Sequence, residues 1–224
     1  MQNFKNKKAG ILMFPGTNCD RDLKMVLEQY GFSVEFLWHR ESFNVEHDVY
    51  FVPGGFSYGD YLRSGALAAR SLSLQSLTQA IQKGILTVGI CNGFQILTEA
   101  RLLPGALIKN ASLKHICKWV SLRPSETHKK SYPQNYSLPV SHSEGNYLAD
   151  DDTLKELQDN NQILFRYIDD INGSTDRIAG ISDKSGKLIG LMPHPERATH
   201  ISCDSPQSNV KPGLQFFDSI FEKI

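Results

Sequence analysis

The sequence lacks an excess of charge of either sign: its 224 residues include 24 basic and 24 acidic side chains. Proteins that bind nucleic acid through its phosphates need a basic excess or a basic patch, so this balance argues against a nucleic-acid partner. The sequence also lacks an apolar run of about 18 residues, which a membrane-spanning helix requires. We therefore expect neither a nucleic-acid partner nor a membrane partner.

Cysteine is scarce, and its spacing argues against two kinds of site. No two cysteines form the C-x-x-C pair typical of zinc sites and redox motifs, so we expect no metal site and no disulfide framework. A reduced, cytoplasmic setting fits best. The phosphate-binding motif G-x-x-x-x-G-K-[ST] is also missing, which argues against a bound nucleotide cofactor. The cysteines are Cys19, Cys91, Cys117 and Cys203.

Apolar segments alternate with helical patterns along the first half of the chain. This alternation predicts an α/β fold: an open, mostly parallel sheet with helices on both faces. The second half predicts further, partly antiparallel strands and a polar loop or flap over residues 124–137. A single domain over residues 1–224 accounts for all of these segments. Strands are predicted at 10–15, 33–38, 48–55, 85–90, 115–123, 163–168, 176–181 and 187–193, and helices at 19–32, 64–84 and 92–103.

The segment "LTVGICNGFQIL" places Cys91 between Gly89 and Gly93, where a strand passes into a helix. This pattern matches the nucleophile elbow of α/β hydrolases, with cysteine in place of serine. Small residues two positions before and after the nucleophile prevent collisions at such a strained turn. The helix N-terminus favours the thiolate and leaves the Asn92 N–H free for an oxyanion. The alternative is a structural cysteine flanked by packing glycines.

The segment "GLMPHPER" supplies the best candidate for a catalytic base. His194 precedes a proline, which favours an extended backbone, and in an extended segment residues two apart point the same way. His194 and Glu196 should therefore lie side by side, with the carboxylate orienting the ring. A rigid surface turn is the alternative interpretation. The rival base is His142, which has Glu144 two residues later but no proline, and we interpret it as a pocket or interface residue in a loop.

A glycine-rich segment, "VPGGFSYGDYLRSG", follows the third predicted strand. Gly54 and Gly55 can expose consecutive backbone N–H groups, as an oxyanion hole requires. A phosphate-binding loop and a plain turn are the alternatives.

Four motifs together resemble class I glutamine amidotransferases, and in particular the glutaminase subunits of phosphoribosylformylglycinamidine synthase. They are "PGTNCD", "VPGGFSYGDYLR", "GICNGFQIL" and "GLMPHPERA", and the similarity extends over about residues 10–198. The chain departs from the family pattern where Ser141 and Ser143 flank His142, and where Ser64 replaces a common cysteine. None of these departures touches the candidate triad.

The resemblance implies a role for each candidate residue. Cys91 would attack the side-chain amide of glutamine to form a thioester, His194 would transfer protons, and Glu196 would orient His194. The N–H groups of Gly55, Phe56 and Asn92 would hold the oxyanion. Gln95 would line the glutamine pocket.

The resemblance also implies partners. Glutamine would be the substrate, and a large synthetase subunit with a small bridging subunit would use the ammonia. ATP and magnesium are expected on the synthetase, with no cofactor in this chain. The complex would convert formylglycinamide ribonucleotide to formylglycinamidine ribonucleotide in purine biosynthesis.

Two other classes of protein stay open from the residues. A cysteine elbow also occurs in peptidases and stress proteins, whose histidine usually lies close to the nucleophile in sequence; here the nearest is His115. A scaffold that has lost catalysis is the other alternative, although the complete Cys91, His194 and Glu196 set argues against it.

Overall fold

The computed structural model describes residues 3–130, 132, 136–200 and 211–224. Cys203 and part of the predicted loop over residues 124–137 lie outside the described residues. The strands are β1 (Lys8–Met13), β2 (Ser33–Trp38), β3 (Val49–Val52), β4 (Leu86–Ile90), β5 (Ala106–Ile108), β6 (Ile116–Pro124), β7 (Tyr136–His142), β8 (Asn146–Leu148), β9 (Ile163–Tyr167), β10 (Ile178–Ser182) and β11 (Leu188–Leu191). The helices are α1 (Asp20–Gln29), α2 (Leu72–Gln82), α3 (Asn92–Glu99), α4 (Asp151–Asp159) and α5 (Pro212–Phe221).

Within the described ranges, one nine-stranded sheet has the order β2-β1-β3-β4-β11-β10-β9-β6-β7. The strands from β2 to β11 in this order run parallel, and β10, β9, β6 and β7 continue the sheet antiparallel. Strands β3, β4 and β11 are buried along their whole length, as expected for strands covered on both faces. The predicted α/β fold with partly antiparallel C-terminal strands is confirmed.

The helix boundaries differ from the prediction in three places. Helix α1 begins at Asp20 with Cys19 at its N-cap position and ends at Gln29, so it is shorter than the predicted helix over residues 19–32. Helix α2 begins only at Leu72, because the Ser71 hydroxyl accepts a hydrogen bond from the Leu74 N–H and caps the helix there. Helix α3 ends at Glu99, and Arg101 then adopts a left-handed φ of 58° that cannot continue a helix.

Several elements lack a strong sequence signal. We predicted neither α4 nor α5. Strand β7 was also not predicted, and it begins within the segment 124–137 that we predicted as a loop or flap. In the part of the chain that the structure describes, no helix has both the length and the apolar character needed to cross a membrane. The single domain over residues 1–224 stays a prediction.

Candidate active site

Cys91 occupies the sharp turn between β4 and α3. Its backbone has φ 50° and ψ −105°, a region that non-glycine residues rarely adopt. The Cys91 N–H donates to the Leu191 carbonyl at 2.8 Å, which ties the turn to β11. Its thiol is 5% exposed and lies 3.7 Å from the Ser141 carbonyl oxygen. This backbone is the one that a nucleophile elbow requires.

The glycines around Cys91 are required by close packing. A Cβ atom at Gly93 would lie 1.8 Å from the Val52 carbonyl oxygen. A Cβ atom at Gly89 would lie 2.5 Å from the Leu97 side chain and 2.8 Å from the Gly93 backbone. Helix α3 therefore lies directly against β3 and β4, and this contact holds Cys91 at the carboxyl edge of the sheet.

His194 and Glu196 form a buried pair beyond the end of β11. The Nδ1 atom of His194 lies 2.6 Å from the Oε1 atom of Glu196, and the side chains are 3% and 1% exposed. His194 has φ −105° and ψ 86°, outside the helical region, and Pro195–Ala198 then forms a 3-10 turn. The structure thus brings the two side chains together by a non-helical residue followed by a turn, where we expected a fully extended segment.

The surroundings of His194 favour its protonated form. Burial lowers the pKa of His194, but the charge of Glu196 and the interaction with Cys91 outweigh it, so the pKa lies well above its ordinary value. Its Nε2 atom is buried and has no hydrogen-bond partner among the described residues. With Nδ1 held by Glu196, Nε2 is the ring atom left for chemistry beside Cys91.

The structure also places Cys19 and Arg197 beside His194, and neither was predicted. The Cys19 sulfur lies 3.8 Å from His194 Nδ1, and the Arg197 guanidinium donates to that sulfur at 3.1 Å. Burial raises the pKa of the Cys19 thiol, more than its contact with His194 lowers it. Cys19, His194 and Glu196 bring potential ligand atoms within 4.8 Å of one another. The absence of a metal or cofactor in this chain stays a prediction.

Two of the three predicted oxyanion donors have backbone N–H groups without an acceptor among the described residues. The Gly55 N–H makes no hydrogen bond among the described residues. The Asn92 N–H belongs to the first residue of α3 and has no acceptor within the helix. Phe56 is a correction, because its N–H donates to the Gly16 carbonyl at 2.9 Å and is not free for an oxyanion in this conformation.

Gln95 lies at the end of a short hydrogen-bond chain. The Asn92 carboxamide accepts from the Ser57 N–H at 3.1 Å and donates to the Gln95 oxygen at 2.9 Å. Gln95 in turn donates to the Glu144 carbonyl at 2.5 Å. These bonds fix the Gln95 side chain on the same side of α3 as Cys91, where we predicted a glutamine pocket.

Two small cavities meet at Cys91. The base chamber, of about 30 Å³, is lined by His194, Cys19 and Arg197 among others. The Gln95 chamber, of about 60 Å³, is lined by Gln95, Asp60, Ser64, His142 and Glu144 among others. Both chambers also share Gly55, Phe56, Cys91 and Ser141 as lining residues. A molecule in either chamber therefore reaches the Cys91 sulfur.

His142 lies in the Gln95 chamber, at the end of β7. Its Nδ1 lies 3.0 Å from the Asn110 oxygen, which also accepts from the Gly145 N–H. Burial, followed by the charges of His194 and His115, lowers the pKa of His142 to about 4. His115 is exposed and contacts the hydroxyls of Ser141 and Ser143. Glu196 contacts the ring of His194, whereas among the described residues neither of the other two histidines has a carboxylate at its ring.

Comparison with known proteins identifies the family. The family model described as CobB/CobQ-like glutamine amidotransferase domain matches residues 6–222. The chain is 49% identical to the phosphoribosylformylglycinamidine synthase subunit PurQ of Synechococcus sp. (strain JA-2-3B'a(2-13)), over 97% of each chain. It is 50% identical to the subunit of that name from Zymomonas mobilis, over 85% of this chain and 89% of the relative.

A solved structure agrees with this. The structure described as PurLQS from Thermotoga maritima contains a chain that superposes with a TM-score of 0.82 at 38% identity, covering 96% of this chain and 98% of that one. The match extends over nearly the full length of both chains, so it includes every candidate site residue. The chain belongs to the CobB/CobQ-like glutamine amidotransferase family, and its near-full-length relatives are PurQ subunits of phosphoribosylformylglycinamidine synthase.

Proposed function

We propose that this chain is the glutaminase subunit of a phosphoribosylformylglycinamidine synthase. It hydrolyses glutamine to glutamate and ammonia, and the ammonia passes to a separate synthetase subunit. The observation that carries the proposal is that His194, paired with the buried Glu196, lines one cavity together with the strained elbow of Cys91. The similarity to PurQ subunits supports glutamine as the substrate and purine biosynthesis as the pathway.

In the first half of the reaction, the Cys91 sulfur attacks the amide carbon of glutamine and His194 holds the thiol proton. Negative charge develops on the amide oxygen, and the N–H groups of Gly55 and Asn92 stabilise it. His194 then gives its proton to the departing nitrogen, the C–N bond breaks, and ammonia leaves a γ-glutamyl thioester on Cys91. Glu196 favours the protonated ring that this step consumes.

In the second half, water enters the base chamber and His194 removes its proton. The hydroxide attacks the thioester carbon, the same N–H groups hold the oxyanion, and the C–S bond breaks. Glutamate leaves and the Cys91 sulfur recovers its proton from His194. The orientation of the ring by Glu196 serves both halves, since the proton moves through Nε2 each time.

The ammonia has a defined destination in this proposal. A large synthetase subunit, joined to this chain through a small bridging subunit, binds ATP and magnesium and transfers the nitrogen to formylglycinamide ribonucleotide. The Thermotoga maritima structure is described as PurLQS, which is consistent with three kinds of subunit. Purine synthesis of this type places the complex in the cytoplasm. We further propose that the chain without its partners turns glutamine over slowly, because free ammonia would be wasted.

Reconstitution tests the proposal. The chain is combined with the large and small subunits, and formation of formylglycinamidine ribonucleotide is measured with glutamine and, separately, with ammonium chloride. The Cys91→Ser variant should lose glutamine-dependent turnover by a factor of at least about 1,000, because the nucleophile is removed. Ammonia-dependent turnover should be unchanged, since it bypasses this chain.

Cys117→Ser is the matched control, because Cys117 is an exposed free cysteine and the change is the same. It should leave both activities at the wild-type level. Failure of the wild-type chain to give glutamine-dependent turnover with its partners, or normal glutamine turnover by Cys91→Ser, would contradict the proposal.

A further inference from the structure

The Gln95 chamber is lined by residues that carry two buried acceptor atoms without a partner in the part of the chain that the structure describes. They are the Oδ1 atom of Asp60 and the Nε2 atom of His142, and neither has a hydrogen-bond partner among the described residues. A buried polar atom without a partner costs free energy, and most are paired in native proteins. Two such atoms lining one cavity of about 60 Å³ indicate that the partner is a ligand.

Asp60 is held in place by an unusual backbone. It has a left-handed φ of 54°, and Tyr58 and Leu62 on either side also have positive φ values of 54° and 71°. The chamber raises the pKa of Asp60 to about 6, because burial disfavours the charge more than the Ser64 hydroxyl favours it, and Glu144 adds a second negative charge. A cation in the chamber would remove both of these costs.

His142 offers a neutral acceptor. The Asn110 oxygen faces His142 Nδ1 and, because an amide oxygen only accepts, Nδ1 carries the ring proton. The Nε2 atom is therefore unprotonated and acts as an acceptor. His142 is 3% exposed, so bulk water does not form a hydrogen bond with Nε2. Glu144 is different, since its carboxylate already accepts from the Ser64 N–H at 3.2 Å.

The ligand must bring donors and positive charge. Among the described residues that line the Gln95 chamber there is no lysine or arginine to face its acceptors and carboxylates. Glutamine has one cationic group, its α-ammonium, which carries three N–H donors. Three carbon atoms separate that group from the amide carbon that Cys91 attacks, and Cys91 lines the same chamber as Asp60 and His142.

We infer that Asp60 and His142 bind the α-ammonium group of the substrate and select L-glutamine over amides that lack it. The inference rests on the proposed glutaminase function. Asp60 supplies the charge and one acceptor, and His142 supplies the other acceptor. Both are specificity-determining residues, since neither contacts the atoms whose bonds change.

The test compares two substrates in the reconstituted complex. L-glutamine and 4-carbamoylbutanoate have the same amide and carboxylate, but the second lacks the α-amino group. The Asp60→Asn variant should lose about 10- to 100-fold in kcat/KM for L-glutamine, the range expected when a hydrogen bond to a charged group is lost. Its kcat/KM for 4-carbamoylbutanoate should stay at the wild-type value, because that substrate never used the charge.

Two further variants support the comparison. His142→Asn keeps a donor near the position of Nδ1 for Asn110 and removes Nε2, so it should also lower the preference for L-glutamine. Asp169→Asn makes the same chemical change as Asp60→Asn at an exposed position and should leave both substrates unaffected. If Asp60→Asn does not fold, the substrate ratio of His142→Asn decides the question.

The inference would be overturned if the ratio of kcat/KM for L-glutamine to kcat/KM for 4-carbamoylbutanoate were the same in the variants as in the wild type, which includes an equal loss for both substrates. This result leaves the proposed function intact, provided that the wild-type complex uses L-glutamine. A wild-type complex that does not use L-glutamine would instead contradict the proposed function itself.

Discussion

The Nδ1 atom of His194 lies 2.6 Å from the Oε1 atom of Glu196, and both side chains are almost fully withdrawn from water. A carboxylate at this position stabilises the protonated ring and fixes which ring nitrogen faces the sulfur of Cys91. In the proposed reaction, Glu196 therefore acts through His194 and is a positioning residue.

Replacement of Glu196 by glutamine should slow glutamine-dependent turnover by about 100- to 10,000-fold, as loss of the orienting carboxylate does in triads of this type. The charge of Glu196 raises the pKa of His194, so its removal lowers that pKa. The step that protonates the departing nitrogen of glutamine needs the protonated ring of His194. The alkaline limb of the rate profile should therefore move to lower pH, which steady-state rates at a series of pH values would measure.

Glu196→Asp is the conservative comparison, because it keeps the charge and should recover part of the rate. Ammonia-dependent turnover by the complex should be the same in all three proteins. A Glu196→Gln variant with a reduced rate but an unshifted alkaline limb would argue against a role through the His194 proton.

Replacement of Gly93 by alanine should lower the free energy of unfolding by about 3 kcal/mol or more, because the new methyl group would overlap the Val52 carbonyl and push α3 away from β3. Gly84→Ala is the matched change, since Gly84 has a φ of +72° but no atom within 4 Å of the added Cβ. That variant should lose only about 1 kcal/mol from backbone strain. Urea unfolding of both variants would show whether the close approach decides the cost.

Asp60 should make the protein less stable at neutral pH in the absence of glutamine. Its pKa is about 6 in the folded state and 3.8 in the reference state, so the folded protein binds that proton more tightly. The stabilisation that comes from binding this proton is fully present below pH 3.8 and is lost as the pH rises through 6. Asp60→Asn should therefore be more stable than the wild type at pH 8, by about 1 kcal/mol after allowance for solvent screening.

The gain should shrink towards pH 5, which urea unfolding at the two pH values would test. Asp169→Asn, on the surface, should show no such dependence. A gain at pH 5 as large as the gain at pH 8 would mean that the effect does not come from the Asp60 charge.

The parallel half of the fold and the backbone turn at Cys91 could be predicted because their signals are local. Cys91 follows a strand and a small residue and is followed at once by the start of a helix. This order leaves one backbone geometry for Cys91. The spacing of His194 and Glu196 was informative for the same reason. The 3-10 turn that follows His194 was missed, because Pro195 restricts the backbone of the residue before it and not of the residues after it.

The other features depend on contacts between distant segments. Cys19 lies beside His194 only because β1 and β11 end at the same edge of the sheet, and no pattern around Cys19 shows this. The Phe56 N–H was assigned to the oxyanion from the family resemblance, and its partner, the Gly16 carbonyl, is 40 positions away in the chain. His142 has its tautomer set by Asn110, which sequence spacing does not reveal. Such pairings are tertiary, so local propensity carries little information about them.

Strand β4 lies between β3 and β11, and one row of backbone pairs joins Val52 to Gly89 and Gly89 to Gly190. The oxyanion loop, the nucleophile and the base each leave the sheet just beyond this row. The main-chain hydrogen bonds between these strands therefore set the position of all three segments along the strand direction, independently of their side-chain rotamers. A slip of one residue between β4 and β11 would move the base by about 3.3 Å along the strand and turn it to the opposite face. Alignment of the reacting groups is thus a property of sheet register, and it tolerates sequence change wherever that register is kept.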